Sequence, residues 1–258
     1  MTPPHEKHLM RIEHLSKDFG GISAINDLSL DVNAGELLGI IGPNGAGKTA
    51  LINTITGFYQ ASSGQIHFEQ QDITHLSIHD IAMLGIGRTF QNIRLFKRLS
   101  VLENVLVARK SFFRHPFQWF NRQSSPRQQM DAALACLSIL NLSEKINQSA
   151  ASLSYGDARR LEIARALAGE PKMLLLDEPA AGMNEFETQQ LIEDIQIIRS
   201  QVSCVILIEH DMNLIRALST RVVAMEFGSK LCEGTAQEVL SHPEVLSAYL
   251  GDEEEDVD

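Results

Sequence analysis

"GPNGAGKT" (42–49) is the stretch on which the reading of this chain turns. It fits the pattern G-x-x-x-x-G-K-[ST], and its surroundings give the pattern weight. Ahead of it runs "ELLGIIG" (36–42), nearly continuous in apolar residues, as a buried parallel strand is. Behind it "KTALINTITG" (48–57) reads as a helix. Gly42, Gly45 and Gly47 let the backbone curl until its N–H groups point inward, and the helix brings its positive dipole end to the same place. Pro43, Asn44 and Ala46 complete a loop shaped for a chain of phosphates. Lys48 adds a mobile charge for the β- and γ-phosphates, and the Thr49 hydroxyl is suited to coordinate Mg²⁺. The loop therefore predicts ATP with Mg²⁺.

Working outward, "KMLLLDE" (172–178) repeats the buried-strand pattern and ends in two acids. Asp177 is placed to hold Mg²⁺ directly or through water, and Glu178 to orient and deprotonate a water attacking the γ-phosphate. "SCVILIEH" (203–210) is a third buried strand, with the helical "EFETQQLIEDIQIIRS" (185–200) before it. Strand, helix, strand with both strands apolar predicts a parallel sheet with crossovers. His210 leaves that strand at the carboxyl edge, where open α/β sheets bind ligands, and is expected to touch the γ-phosphate.

The remaining segments fill in the architecture. "LMRIEHL" (9–15), "DLSLDV" (27–32) and "GQIHFE" (64–69) alternate and are bounded by Gly, Asn or Asp, which predicts an antiparallel β subdomain. "VVAMEFGSKLCEG" (222–234) reads as a hairpin turning around Gly228. Residues 85–155 carry no buried-strand pattern and read as a helical insertion, leaving 1–84 and 156–258 as the core of a single domain. Inside the insertion, "SFFRHPFQWF" (111–120) holds the only tryptophan, Trp119; it is either packed on its own subdomain or a docking surface for a partner. The acidic end, 252–258, reads as a frayed, solvated tail.

Composition bounds the function. With 258 residues and 44% hydrophobic residues the chain can bury a full core. A net charge of −11 argues against nucleic acid as partner. Cys136, Cys204 and Cys232 lack metal-like spacing and read as small buried apolar residues in a reducing compartment. The polar N-terminus "MTPPHEKHLM" has no signal-peptide core, and no apolar run approaches the roughly 20 residues that span a bilayer. A cytoplasmic protein is expected, unless something holds it at a membrane.

In order, "GPNGAGKT", Gln91 in "GRTFQNIRLF" (87–96), "LSYGDARRLEIARALA" (153–168), "LLLDEPAAGMN" (174–184) and "IEHDM" (208–212) resemble the nucleotide-binding subunit of an ABC transporter over nearly the whole chain. "RTFQNIRLF", the 153–168 segment and "EPAAGMN" are similar to the ATPases of bacterial high-affinity branched-chain amino acid importers. The resemblance implies an ABC ATPase fold, ATP hydrolysis and attachment at the cytoplasmic face of the cell membrane. It also implies membrane permease subunits and a periplasmic or surface solute-binding protein as partners. Phe19, in "LSKDFGG", would stack on adenine in place of the common tyrosine. Gln91 would sense Mg²⁺ and the attacking water. Ser154 and Gly156 would contact the γ-phosphate held by an opposite subunit, in a homodimer or in a heterodimer with a related ATPase. Asn184 stands where many relatives carry an aspartate; an uncharged side chain there keeps hydrogen bonding and puts charge-based communication between the two sites in doubt.

The family's Leu-Ser-Gly-Gly-Gln is here Leu-Ser-Tyr-Gly-Asp, with Asp157 last. Ser154 followed three positions later by an acid is a capping-box pattern, so Asp157 is expected to reach back to the Ser154 N–H. Arg159 and Arg160 are expected to offset its charge. Among the alternatives, lipopolysaccharide-export ATPases are similar but keep the Gly-Gly form. Soluble ABC proteins of translation or DNA repair carry two cassettes or large coiled-coil or zinc insertions, which this chain lacks. Glu178 and His210 together disfavour a regulatory module without catalysis.

Overall fold

The structure, a computed structural model, describes residues 8–109 and 125–255, with side chains as far as Tyr249. The aromatic stretch 111–120 with Trp119 lies outside the described residues. The chain opens with β1 (Met10–Phe19) and β2 (Ile22–Val32), then β3 (Leu37–Ile41), α1 (Lys48–Ile55), β4 (Ser63–Phe68) and β5 (Gln71–Asp72). It continues through α2 (Ile78–Leu84), β6 (Ile86–Arg88), α3 (Val101–Val107), α4 (Pro126–Ile139), α5 (Tyr155–Ala168), β7 (Met173–Asp177) and α6 (Glu185–Arg199). It closes with β8 (Cys204–Ile208), α7 (Met212–Leu218), β9 (Arg221–Glu226), β10 (Ser229–Gly234), α8 (Ala236–Leu240) and α9 (Pro243–Glu255). Two compact units result: Met1–Ile81 with Ser203–Asp258, and Ala82–Val202.

In the first unit an antiparallel sheet runs in the order β2-β1-β4-β5. β1 and β2 are longer than their alternating patterns, because register shifts along the pair let both strands continue past polar residues. A second set of strands places β3 parallel to both β8 and β9. Every residue of β3 and β8 is buried, which is why their sequences are apolar without alternation. β9 and β10 form the expected hairpin. Its two-residue turn has φ of 46° at Phe227 and 79° at Gly228, the doubly left-handed form that matches strand twist.

In the second unit α3, α4 and α5 pack on one another, and β6 runs parallel to β7 from Ile86 beside Met173 to Arg88 beside Leu175. β6 lies inside 85–155, the segment expected to be mostly helical and to carry no buried-strand pattern. With three residues, one of them Gly87 and one Arg88, it is too short to show any period.

α9 continues to Glu255, so the acidic end is helical that far rather than frayed; glutamate is a good helix former. Cys136 and Cys204 are buried and Cys232 half-buried, all three as thiols. Among the described residues no helix is long and apolar enough to cross a membrane.

Candidate nucleotide site

The phosphate loop lies in the first unit, between β3 and α1. Gly47 caps α1 with φ of 97°, and a Cβ there would run into the carbonyl oxygen of Ala24. Only glycine fits that turn. Lys48 is 6% exposed, and its ammonium donates to the carbonyls of Gly42 at 2.6 Å and Pro43 at 2.8 Å. Ala46 is buried under the loop, whereas Asn44, Gly45 and Thr49 are exposed. The Gly42 N–H donates to the Tyr249 hydroxyl at 2.7 Å, a tie from α9 that sequence spacing did not reveal.

β8 pairs with β3 up to Ile40 beside Ile208, so Gly42 and the Glu209–His210 pair leave the same carboxyl edge. His210 is exposed two residues beyond the strand, and its backbone N–H donates to the Glu209 carboxylate at 3.2 Å. Phe19 ends β1. Its ring meets Tyr59 edge-on with centroids 4.9 Å apart, and the Lys17 ammonium lies 4.8 Å from its centre. Tyr59 stands in the aromatic pair "FY" (58–59) just after α1.

The second unit holds the acids. Asp177, the last residue of β7, is 2% exposed, and its N–H donates to the Thr89 hydroxyl at 3.2 Å. Arg88, at the end of β6, brings its guanidinium to 3.6 Å from the Asp177 carboxylate. Nothing in the sequence singles out Arg88, because β6 is too short to show a period. Glu178 follows with φ of 47°, a left-handed conformation uncommon for a non-glycine residue. The side-chain amide of Gln91 donates to its carboxylate at 2.7 Å. Two residues picked from distant motifs thus touch.

The start of α5 corrects the reading of Asp157. Ser154 caps the helix by accepting the Asp157 N–H at 3.3 Å. The return bond of a capping box is not made. The Asp157 carboxylate takes the Ser154 hydroxyl at 2.8 Å and the Lys145 ammonium instead. Aspartate is one methylene shorter than glutamate, too short for the reach back that Glu187 makes to the Asn184 N–H at 3.1 Å in the full box heading α6. Burial pushes the Asp157 carboxyl up, but hydrogen bonds from Lys145 and Ser154 and the charges of Lys145 and Arg160 outweigh it and hold it below the usual range. Arg159 does not offset Asp157: it is wholly buried and turns to Glu162. Arg160 reaches Asp194 at 2.8 Å. Gly156 is buried, and a Cβ on it would lie 2.7 Å from a Glu187 oxygen. Asn184 acts as a cap, accepting the Glu187 N–H at 3.0 Å.

The expected Mg²⁺ ligands, Thr49, Gln91 and Asp177, are all oxygen donors, the set a hard cation takes. Among the described residues no cluster of three or more His, Cys, Asp or Glu forms a metal cage.

Comparison with known proteins bears on this arrangement. Residues 25–181 match the ABC transporter family model, and residues 229–255 match that of the branched-chain amino acid ATP-binding cassette transporter. The chain is 42% identical to the high-affinity branched-chain amino acid transport ATP-binding protein BraF of Pseudomonas aeruginosa, over 95% of this chain and 98% of the relative. It is 39% identical to the corresponding LivG of Escherichia coli K12, with the same coverage. A solved ATP-binding cassette of an ABC transporter in its ADP conformation superposes with a TM-score of 0.84 at 32% identity, covering 95% of this chain and 99% of the other. A nucleotide-free cassette gives a TM-score of 0.83 at 32% identity, covering 94% and 98%.

Proposed function

The chain belongs to the ABC transporter family, whose ATP-binding subunits hydrolyse ATP to power transport, and we propose that it drives uptake of branched-chain or related amino acids. The substrate class rests on the BraF and LivG relatives and on the C-terminal match at 229–255. The observation that carries the hydrolytic reading is the 2.7 Å hydrogen bond from Gln91 to Glu178 at the end of β7. Glu178 is the general base that takes a proton from the attacking water, and Gln91 holds carboxylate and water in line. His210 meets the γ-phosphate, Lys48 and the loop N–H groups hold the β- and γ-phosphates, and Phe19 stacks on adenine. Thr49, Asp177 and Gln91 would supply oxygen ligands to Mg²⁺, which when bound would offset negative charge on the phosphates.

The working unit in this reading is a dimer, of two copies or with a related ATPase, in which Ser154 and Gly156 of one subunit face the γ-phosphate of the other. The segment 85–155 meets membrane permease subunits at the cytoplasmic face, and a solute-binding protein delivers the amino acid. The test is to purify the chain with its membrane subunits, reconstitute them in liposomes and measure ATPase with leucine-loaded binding protein. Stimulation by leucine and not by an unrelated solute is expected. ATPase that ignores every branched-chain amino acid would remove the substrate assignment.

A further inference from the structure

Residues 90–94 carry Gln91 through a stretch that belongs to no helix or strand. Its backbone groups need other partners. They find them on α5, the helix that Ser154 caps. Arg159 is 0% exposed and sends one guanidinium nitrogen to the Phe90 carbonyl and the other to the Gln91 carbonyl, both at 2.7 Å. Glu162, 4% exposed and one turn on, accepts the N–H groups of Phe90 at 3.4 Å and Arg94 at 3.3 Å through one oxygen. Its other oxygen takes Arg159 at 2.9 Å. Arg165, a further turn along α5, donates to the Arg94 carbonyl. A carboxylate thus grips the loop at both ends while a guanidinium grips its first two carbonyls.

Burying a charged pair is expensive, and hydrophobic residues of similar volume often stabilise a fold equally well. Arg159 even leaves its Nε buried without an acceptor. Apolar side chains could not hold four backbone groups of an irregular loop, and that is what this pair does. The Gln91 side chain is meanwhile left to reach Glu178.

We infer that Arg159 and Glu162 are positioning residues for ATP hydrolysis: they fix residues 90–94 to α5, so that any movement of Ser154 with α5 also moves Gln91 relative to Glu178. The inference rests on the reading that Gln91 takes part in hydrolysis, and its test separates the two. In the full chain, kcat and KM for MgATP are measured for Gln91→Ala, Arg159→Met, Arg159→Lys, Glu162→Gln and each substitution at 159 or 162 combined with Gln91→Ala.

Arg159→Met is expected to lower kcat about 10-fold or more through misplacement of Gln91, with KM nearly unchanged. Arg159→Lys, which cannot fork to two carbonyls, recovers only part of that. In the Gln91→Ala background neither substitution at 159 lowers kcat further. Glu162→Gln keeps an oxygen for the loop N–H groups and gives a smaller loss, also absent in that background. It carries the test if Arg159→Met does not fold. Losses at 159 or 162 that multiply with that of Gln91→Ala overturn the inference, as does a lowered melting temperature with unchanged kcat. If Gln91→Ala alone leaves kcat unchanged, the role of Gln91 is wrong and the inference falls with it.

Discussion

In the unit of Met1–Ile81 and Ser203–Asp258 the backbone places the candidate site residues, whereas in Ala82–Val202 buried charges surround them. The phosphate loop is eight consecutive residues whose shape comes from glycine turns between a strand and a helix. Lys48 and Glu209 are that unit's buried charged residues among those described. The second unit buries Arg109, Arg159, Arg160, Glu162, Asp177 and Asp194. Each is tied to a partner far along the chain or to the loop around Gln91. Burial pushes the carboxyls of both Glu162 and Asp194 above the ordinary range, against the pull of their arginines. A contiguous loop is specified locally; a charge network is specified only when the helices meet. The two units should therefore fail differently.

The largest difference is expected at Asp194. Asp194→Ala strands the Arg160 charge in a buried position and should destabilise the protein by about 3–5 kcal/mol in urea unfolding. Ile208→Val, at an equally buried position of β8, should cost about 0.5–1.5 kcal/mol. Equal losses would erase the contrast between the units.

Gly47→Ala comes next. The strain at its left-handed turn is about 1–3 kcal/mol, and the methyl meets the Ala24 carbonyl. Because the loop must open to relieve this, ATP affinity in a binding titration should fall at least roughly 10-fold, equivalent to about 1.4 kcal/mol. Retained affinity with a lowered melting temperature would show that the turn serves the fold alone.

Asp157→Ala should have the smallest effect, about 0.5–2 kcal/mol at neutral pH, through loss of the contact with Lys145 and the Ser154 hydroxyl. The pH dependence has a definite sign. The folded carboxyl lies below its unfolded value, so its contribution is complete above about pH 3.9 and is lost as pH falls through the lowered folded value. Unfolding of both proteins at neutral pH and near pH 3 checks this; a difference that grows on acidification would contradict it.

What was legible in the sequence follows the same division. The phosphate loop, the buried strands at 37–41, 173–177 and 204–208, and the hairpin at Gly228 are local patterns, and each could be read from its own residues. β6 could not, because three residues carry no period; with it went Arg88 beside Asp177. Lys145 sits in a short helical turn with nothing in its neighbourhood to aim it at Asp157. The arginines at 159 and 160 were read as neighbours of Asp157 along the chain. In the folded helix one turns inward to the loop at 90–94 and the other to Asp194 on α6. Adjacent positions on a helix face different directions, about 100° apart at 3.6 residues per turn.

The proposed hydrolysis turns on Glu178 as the base that Gln91 orients. The direct measurement is steady-state ATP hydrolysis and ATP binding by Glu178→Gln beside the unaltered protein. An amide keeps the shape and cannot take the proton, so turnover should fall by roughly 10²–10⁴-fold while ATP still binds. Hydrolysis near the unaltered rate would contradict the assignment of Glu178 and, with it, the catalytic meaning given to its contact with Gln91.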